Sequence, residues 1–140
     1  MNKTVIIPEW DQKYETGINS IDSQHKYFLD LIRLFYERVQ NELNSTYIVE
    51  HMDELKYYAK FHFCCEENLM LRYNYKGYRA HRELHETLLK NLTQTISKYE
   101  LGQINLNDFV NFLLTWFIKH TLVEDMKYSA YRNDLNLLVE

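Results

Sequence analysis

Residues 57–85 read YYAKFHFCCEENLMLRYNYKGYRAHRELH, and two pairs in this stretch decide the reading of the chain: His62 with Glu66, and His81 with His85. The members of each pair stand four residues apart, so on a helix they lie one turn above each other and point the same way. Each pair can grip one metal ion. Around them the sequence reads as apolar helix, with Tyr58, Ala59, Leu69 and Met70 beside the first pair and Leu84, Leu88 and Leu92 beside the second. His25, near the start of the first helical pattern, and His120 with Asp125 in the last one have the same character. Five such histidines and two carboxylates spread over four helices predict a dinuclear metal centre.

Working outward, 140 residues fit one domain, 1–140, with a single core. One proline and three glycines favour a few long helices over many short strands. The formal charge of -4 comes from 16 basic and 20 acidic residues that are interspersed, so the basic face required for nucleic acid is missing. No apolar run approaches the roughly 18 residues of a membrane helix. Met1 to Trp10 lacks the pattern of a secretory signal, and a cytoplasmic location is the expectation. Cys64 and Cys65 are adjacent, and their side chains diverge by about 100° on a helix, which speaks for a reducing compartment and against a disulfide. Cys65 is expected to pack inside, with Cys64 elsewhere on the helix.

In chain order, residues 1–19 show no sustained period and form an ordered extended arm, with Trp10, Tyr14 and Ile18 as its anchors. Asn19 or Ser20 offers an N-cap for a first helix over about Asp22 to Leu43, whose inward stripe holds His25, Phe28, Leu29, Ile32, Phe35, Tyr36 and Val39. Asn44 to Thr46 is a polar break. A second helix over about Tyr47 to Arg72 turns Leu55, Tyr58, Ala59, His62, Cys65, Glu66, Leu69 and Met70 inward. A third runs from about Tyr78 to Glu100 and stops at Gly102. Asn105 with Asp108 opens a fourth, running to about Tyr128, with Phe109, Phe112, Leu113, Trp116, Phe117 and His120 on its apolar face. The tail from Ala130 to Glu140 forms a short strand or turn. The fold class is all-α: an up-down-up-down antiparallel four-helix bundle over about residues 20–128, with an ordered N-terminal arm.

A single histidine on an apolar face is more often a hydrogen-bonded core residue than a ligand. The combination changes the balance, because burying this set without a cation would leave unpaired negative charge inside the bundle. Imidazole and carboxylate suit iron, manganese or zinc, and seven ligands exceed the need of one tetrahedral zinc. His120 and Asp125 are five apart, about 140° round an α-helix. That interval is awkward for one metal unless the carboxylate reaches inward from the next turn. His51 has no partner among these residues and reads as surface.

Trp10, Tyr14, Gly17-Ile18, Ile21-Asp22 and Gln24-His25, then His62 to Glu67 with Leu69-Met70, then Tyr75, His81 and His85, then Trp116, His120 and Asp125 together resemble the hemerythrins, most of all their single-domain bacterial forms. The likeness covers nearly the whole chain. One departure is Lys76, where many bacterial members carry proline before the third helix. The resemblance implies two iron ions with an oxo or hydroxo bridge. It assigns His81, His85 and His120 to one iron and His25 with His62 to the other, with Glu66 and Asp125 bridging. The second iron then has an open position, where dioxygen is expected to bind. Phe28, Leu29, Ile32 and Trp116 are candidates to line the pocket, or else are plain core. Glu67 either faces solvent or accepts a hydrogen bond from a ligand imidazole. The implied function is reversible dioxygen binding for carriage, storage or sensing. A di-iron oxidase or peroxidase, a nitric-oxide-handling enzyme, and a metal-stabilised regulatory module are the alternatives.

Overall fold

A computed structural model describes residues 4–41 and 45–135, and every regular element among them is helical. The α-helices are α1 (Asn19–Asn41), α2 (Ser45–Arg72), α3 (Tyr78–Glu100), α4 (Leu106–Lys119) and α5 (Met126–Asp134). Between α4 and α5 the chain winds through a π-helical turn, His120–Asp125, with helical backbone on both sides. α1 packs on α2, α2 on α3 and α3 on α4, and α4 closes the ring against α1. The result is the up-down-up-down four-helix bundle. No helix among the described residues is long and apolar enough to cross a membrane.

The element boundaries follow from local chemistry. α2 ends with the N–H of Tyr75 on the Met70 carbonyl (2.9 Å) and that of Asn74 on Leu71 (3.2 Å), a closure that puts Asn74 at φ 56°. α3 ends in the same way, with Gln103 on Lys98 (2.8 Å), Gly102 on Tyr99 (3.0 Å) and Gly102 at φ 74°. At the start of α4 the Asn105 side chain accepts from the Asp108 N–H at 2.8 Å and Asp108 reaches back, forming a capping box.

Several expectations need correction. α1 starts at Asn19, three residues before the expected Asp22. Asp22 ties the helix to the arm instead, accepting from the Thr16 N–H (2.7 Å), the Thr16 hydroxyl (2.8 Å) and the Gly17 N–H (3.1 Å). Of the polar break expected at 44–46, residues 45 and 46 belong to α2, which begins at Ser45, and residues 42–44 lie outside the described residues. The fourth helix does not run as one α-helix to Tyr128: it changes to π winding at His120 and resumes as α5 to Asp134. The strand or turn expected from Ala130 is therefore helix through Asp134, and residues 136–140 lie outside the described residues. His51 is buried against Arg38 and not on the surface, while Cys65 is half-buried and Cys64 exposed.

The arm is held as its anchors suggested. Tyr14 and Ile18 are buried, and Trp10 packs partly against the main core. The Val5 N–H donates to the Tyr36 hydroxyl (2.9 Å) and Arg33 donates to the Pro8 carbonyl (2.8 Å). Ser129 of α5 donates to the Thr16 carbonyl. Two apolar clusters result. The larger fills the bundle around Leu29, Ile32, Phe35, Leu55, Leu92 and Phe109. The smaller, of Ile18, Ile21, Met70 and Tyr128, caps the other end, where Arg132 is fully buried over the Tyr73 ring at 3.7 Å and donates to the Tyr128 hydroxyl at 3.1 Å. The metal-binding candidates lie between the two clusters.

Candidate metal centre

All seven candidate ligands are buried, and four elements present them: α1 carries His25, α2 carries His62 and Glu66, α3 carries His81 and His85, and the π turn carries His120 and Asp125. They form two groups whose donor atoms lie within 4.8 Å of one another: Glu66, His81, His85, His120 and Asp125 in one, and His25, His62, Glu66 and Asp125 in the other. Both carboxylates belong to both groups.

The oxygens divide in a consistent way. Glu66 Oε1 lies 2.6 Å from His81 Nε2 and 3.2 Å from His85 Nε2, while its Oε2 lies 3.2 Å from His62 Nε2. Asp125 Oδ1 lies 3.0 Å from His120 Nε2 and 3.2 Å from His81 Nε2, while its Oδ2 lies 2.9 Å from His25 Nε2. Each carboxylate thus offers one oxygen to a three-histidine side and one to a two-histidine side.

The π turn makes this possible. Winding that closes its hydrogen bonds at i→i+5 brings residues five apart onto one face. The awkward interval between His120 and Asp125 is resolved by the backbone itself, with no need for a side chain to reach round from an α-helical turn.

Several of the close approaches are not hydrogen bonds. His25 Nε2, His62 Nε2, Glu66 Oε2 and both Asp125 oxygens have no hydrogen-bond partner among the described residues, although each stands within 3.2 Å of another polar atom. His85 Nε2 and His120 Nε2 are only 3.3 Å apart. Buried polar atoms that crowd together without bonding one another leave a desolvation cost uncovered. A cation between them would satisfy them all, and nitrogen and carboxylate donors fit iron.

Outside the donor atoms, two of the far ring nitrogens are fixed, while His25 Nδ1 and His120 Nδ1 have no hydrogen-bond partner among the described residues. His62 Nδ1 donates to Gln24 Oε1 at 2.7 Å and His85 Nδ1 to Glu67 Oε2 at 2.9 Å, so each ring keeps its proton on Nδ1 and turns a bare Nε2 inward. Phe63 stacks flat on the His85 ring with centroids 3.9 Å apart. Glu67 accepts from a ligand-position imidazole, one of the two roles open to it from the sequence. The sequence assigns Gln24 no role beyond its place in the family likeness. Its only sequence signal is its place beside His25, and no pattern on α1 tells a side chain facing α2 from one facing solvent.

Without a cation the charges settle on protons. Burial works against ionisation of Glu66, but the imidazoles of His120, His62, His81 and His85 hold its carboxyl well below the usual range. Burial and the neighbouring Glu66 also oppose ionisation of Asp125, and His120 and His25 prevail over both. Burial pulls His81 down, yet the close carboxylates of Asp125 and Glu66 push it up to about 9. His120 is pushed up to about 10 against its own burial, with Asp125 the larger influence. Burial lowers His62, which leaves its imidazole free to donate a lone pair.

A cavity of about 20 Å³ adjoins the two-histidine side, lined by His25, Phe28, Ala59, His62, Phe63, Trp116, Phe117, His120 and Thr121. Of the four residues considered as lining, Phe28 and Trp116 stand in this wall. Leu29 and Ile32 do not, and they are packed fully into the main core. Thr121 is an addition that a lone polar residue beside a histidine did not signal.

A family model for the hemerythrin HHE cation binding domain matches residues 16–131. The chain is 30% identical over 132 residues to a bacteriohemerythrin of Pseudomonas paraeruginosa, covering 94% of this chain and 86% of that one. It is also 30% identical over 124 residues to a bacteriohemerythrin of Clostridium acetobutylicum, covering 85% and 96% of the two chains. A crystal structure of wild-type hemerythrin superposes with a TM-score of 0.78 over 89% of this chain and 97% of that one, at 24% sequence identity, a likeness of fold.

Proposed function

The chain belongs to the hemerythrin family, and from that premise we propose that it binds dioxygen reversibly at a pair of iron ions. His81, His85 and His120 would hold one iron, His25 and His62 the other, and Glu66 and Asp125 would bridge them. When bound, two ferrous ions supply the two electrons that reversible uptake of dioxygen requires. The observation that carries this reading is asymmetry. The small cavity is lined by both imidazoles of the side with fewer nitrogens, His25 and His62, and by only one, His120, of the other.

The chain's own residues supply the remaining conditions. Gln24 and Glu67 orient the His62 and His85 imidazoles. Phe28, Ala59, Phe63, Trp116 and Phe117 surround the cavity with hydrocarbon, and the Trp116 indole N–H is engaged by the Leu88 carbonyl at 3.0 Å. Such a wall keeps out bulk water, whose entry would favour oxidation of the irons over release of the gas. An oxidase or peroxidase needs a group that delivers protons on every turnover. Apart from the imidazoles the wall holds no acid or base, so binding fits it better than turnover. An exposed free thiol at Cys64 suits a reducing compartment, and the cytoplasm is part of this reading.

The test is anaerobic reconstitution with ferrous iron, followed by metal counting and optical spectra through a cycle of oxygenation and deoxygenation. Two irons per chain and a spectrum that appears with air and disappears under argon are expected. One iron per chain, or two irons indifferent to oxygen, would refute the proposal.

A further inference from the structure

Thr121 stands in the cavity wall at the second residue of the π turn. It is fully buried, and its Oγ1 has no hydrogen-bond partner among the described residues. A helical threonine ordinarily rests its hydroxyl on the carbonyl three or four residues back. Thr121 does not, so the fold carries a desolvated hydroxyl that no internal contact repays. The rest of the wall makes the anomaly sharper. Besides the imidazoles, its other side chains are hydrocarbon or, for Trp116, a donor already engaged. Rotation about the single χ1 carries the hydroxyl among three staggered positions without moving the backbone. The cavity, at about 20 Å³, exceeds the roughly 10–15 Å³ that one water-sized molecule needs.

We propose that Thr121 is the hydrogen-bonding residue of the ligand cavity: its hydroxyl donates to dioxygen held on the two-histidine side, and to a single water when the gas is absent. The inference rests on the oxygen-binding reading and goes past it by naming what retains the gas. Dioxygen that takes up electron density becomes an acceptor, and Oγ1 is the uncommitted hydroxyl donor in that wall. A wall of hydrocarbon alone would offer shape and dryness but nothing that distinguishes the charged-up guest from a neutral one.

Two variants test it. Thr121→Val keeps the branched shape and removes the hydroxyl, while Thr121→Ser keeps the hydroxyl. In iron-loaded protein, T121V should release dioxygen about fivefold to tenfold faster than the parent, the scale of one lost hydrogen bond, and T121S should stay within about twofold. The release rate should change in deuterium oxide for the parent and T121S but not for T121V. Crystals of the metal-free parent should show an ordered water on Oγ1 that T121V lacks, and T121V should unfold at the same temperature as the parent or higher. Equal release rates for the parent and T121V overturn this inference alone. A T121V that unfolds well below the parent also overturns it, because the hydroxyl would then serve an internal bond. A parent protein that holds two irons and takes up no dioxygen brings down the oxygen-binding reading as well, which separates the two failures.

Discussion

Glu66 turns one oxygen to each half of the centre, so one substitution removes a contact from both. Glu66→Ala should lower the iron content below two per chain by elemental analysis, because the two cations then repel each other across a missing bridge. Two tightly held irons with unchanged spectra would contradict the bridging role. Gln24 acts on the metal only through His62, whose Nδ1 proton it accepts. Gln24→Leu should weaken iron binding at the two-histidine side roughly tenfold to a hundredfold in competition with a chelator, and Gln24→Glu should restore most of the loss. A Leu variant that keeps its iron as tightly as the parent would show that the His62 ring is oriented by packing alone. Both residues show how far single positions could be read from the sequence. Glu66 declared itself by its four-residue interval to His62, a spacing with geometric meaning. Gln24 and Thr121 could not, because their roles depend on which neighbour the third dimension places opposite them.

At the scale of the element, the extra residue in the π turn is the feature that sequence periodicity misses. A window that assumes 3.6 residues per turn puts Asp125 on the wrong face, whereas α3 contains no such irregularity and its bounds at Tyr78 and Glu100 were read correctly. Deleting the exposed Val123 should let the segment close as ordinary α-helix. Tyr128 and Arg132 would keep their faces, so the metal-free protein should unfold no earlier than the parent. Asp125 would then stand four residues from His120, the same interval as His62 and Glu66, so the variant should still hold two irons per chain. Fewer than two irons would show that the π winding sets the reach of Asp125 beyond the interval alone. The helix stops are also open to measurement. Asn74 holds a left-handed conformation that glycine adopts more easily, so Asn74→Gly should raise stability by a few tenths to about 1 kcal/mol in urea unfolding. Gly102→Ala, at φ 74° with open space around it, should lower stability by about 1–2 kcal/mol through backbone strain alone.

For the whole molecule, the metal-free state has a distinctive dependence on pH. His81 and His120 titrate near 9 and 10, above their ordinary 6.5, because they face ionised Glu66 and Asp125. A pKa raised by folding contributes stability that is complete below 6.5 and disappears as pH rises through 9 and 10. Thermal unfolding of the metal-free protein should therefore weaken across that alkaline window, and iron should abolish the trend, since coordinated imidazoles no longer carry those protons. Loading at neutral pH should release about two protons into weak buffer, one each from His81 and His120, and a value near zero would show that the cluster is not charged in this way. The small cluster of Ile18, Ile21, Met70 and Tyr128 has a consequence at this same scale. Ile21, Met70 and Tyr128 sit one turn beyond His25, Glu66 and Asp125, and Ile18 joins them from the arm, whose Thr16 carbonyl is held by Ser129 of α5. Ions held at the centre would be corked in from that end by a plug the four main helices do not supply by themselves. How long iron stayed aboard would then be governed by how often the arm lets go, and trimming the anchors at Tyr14 and Ile18 should turn a slow leak into a fast one while every coordinating side chain is still present.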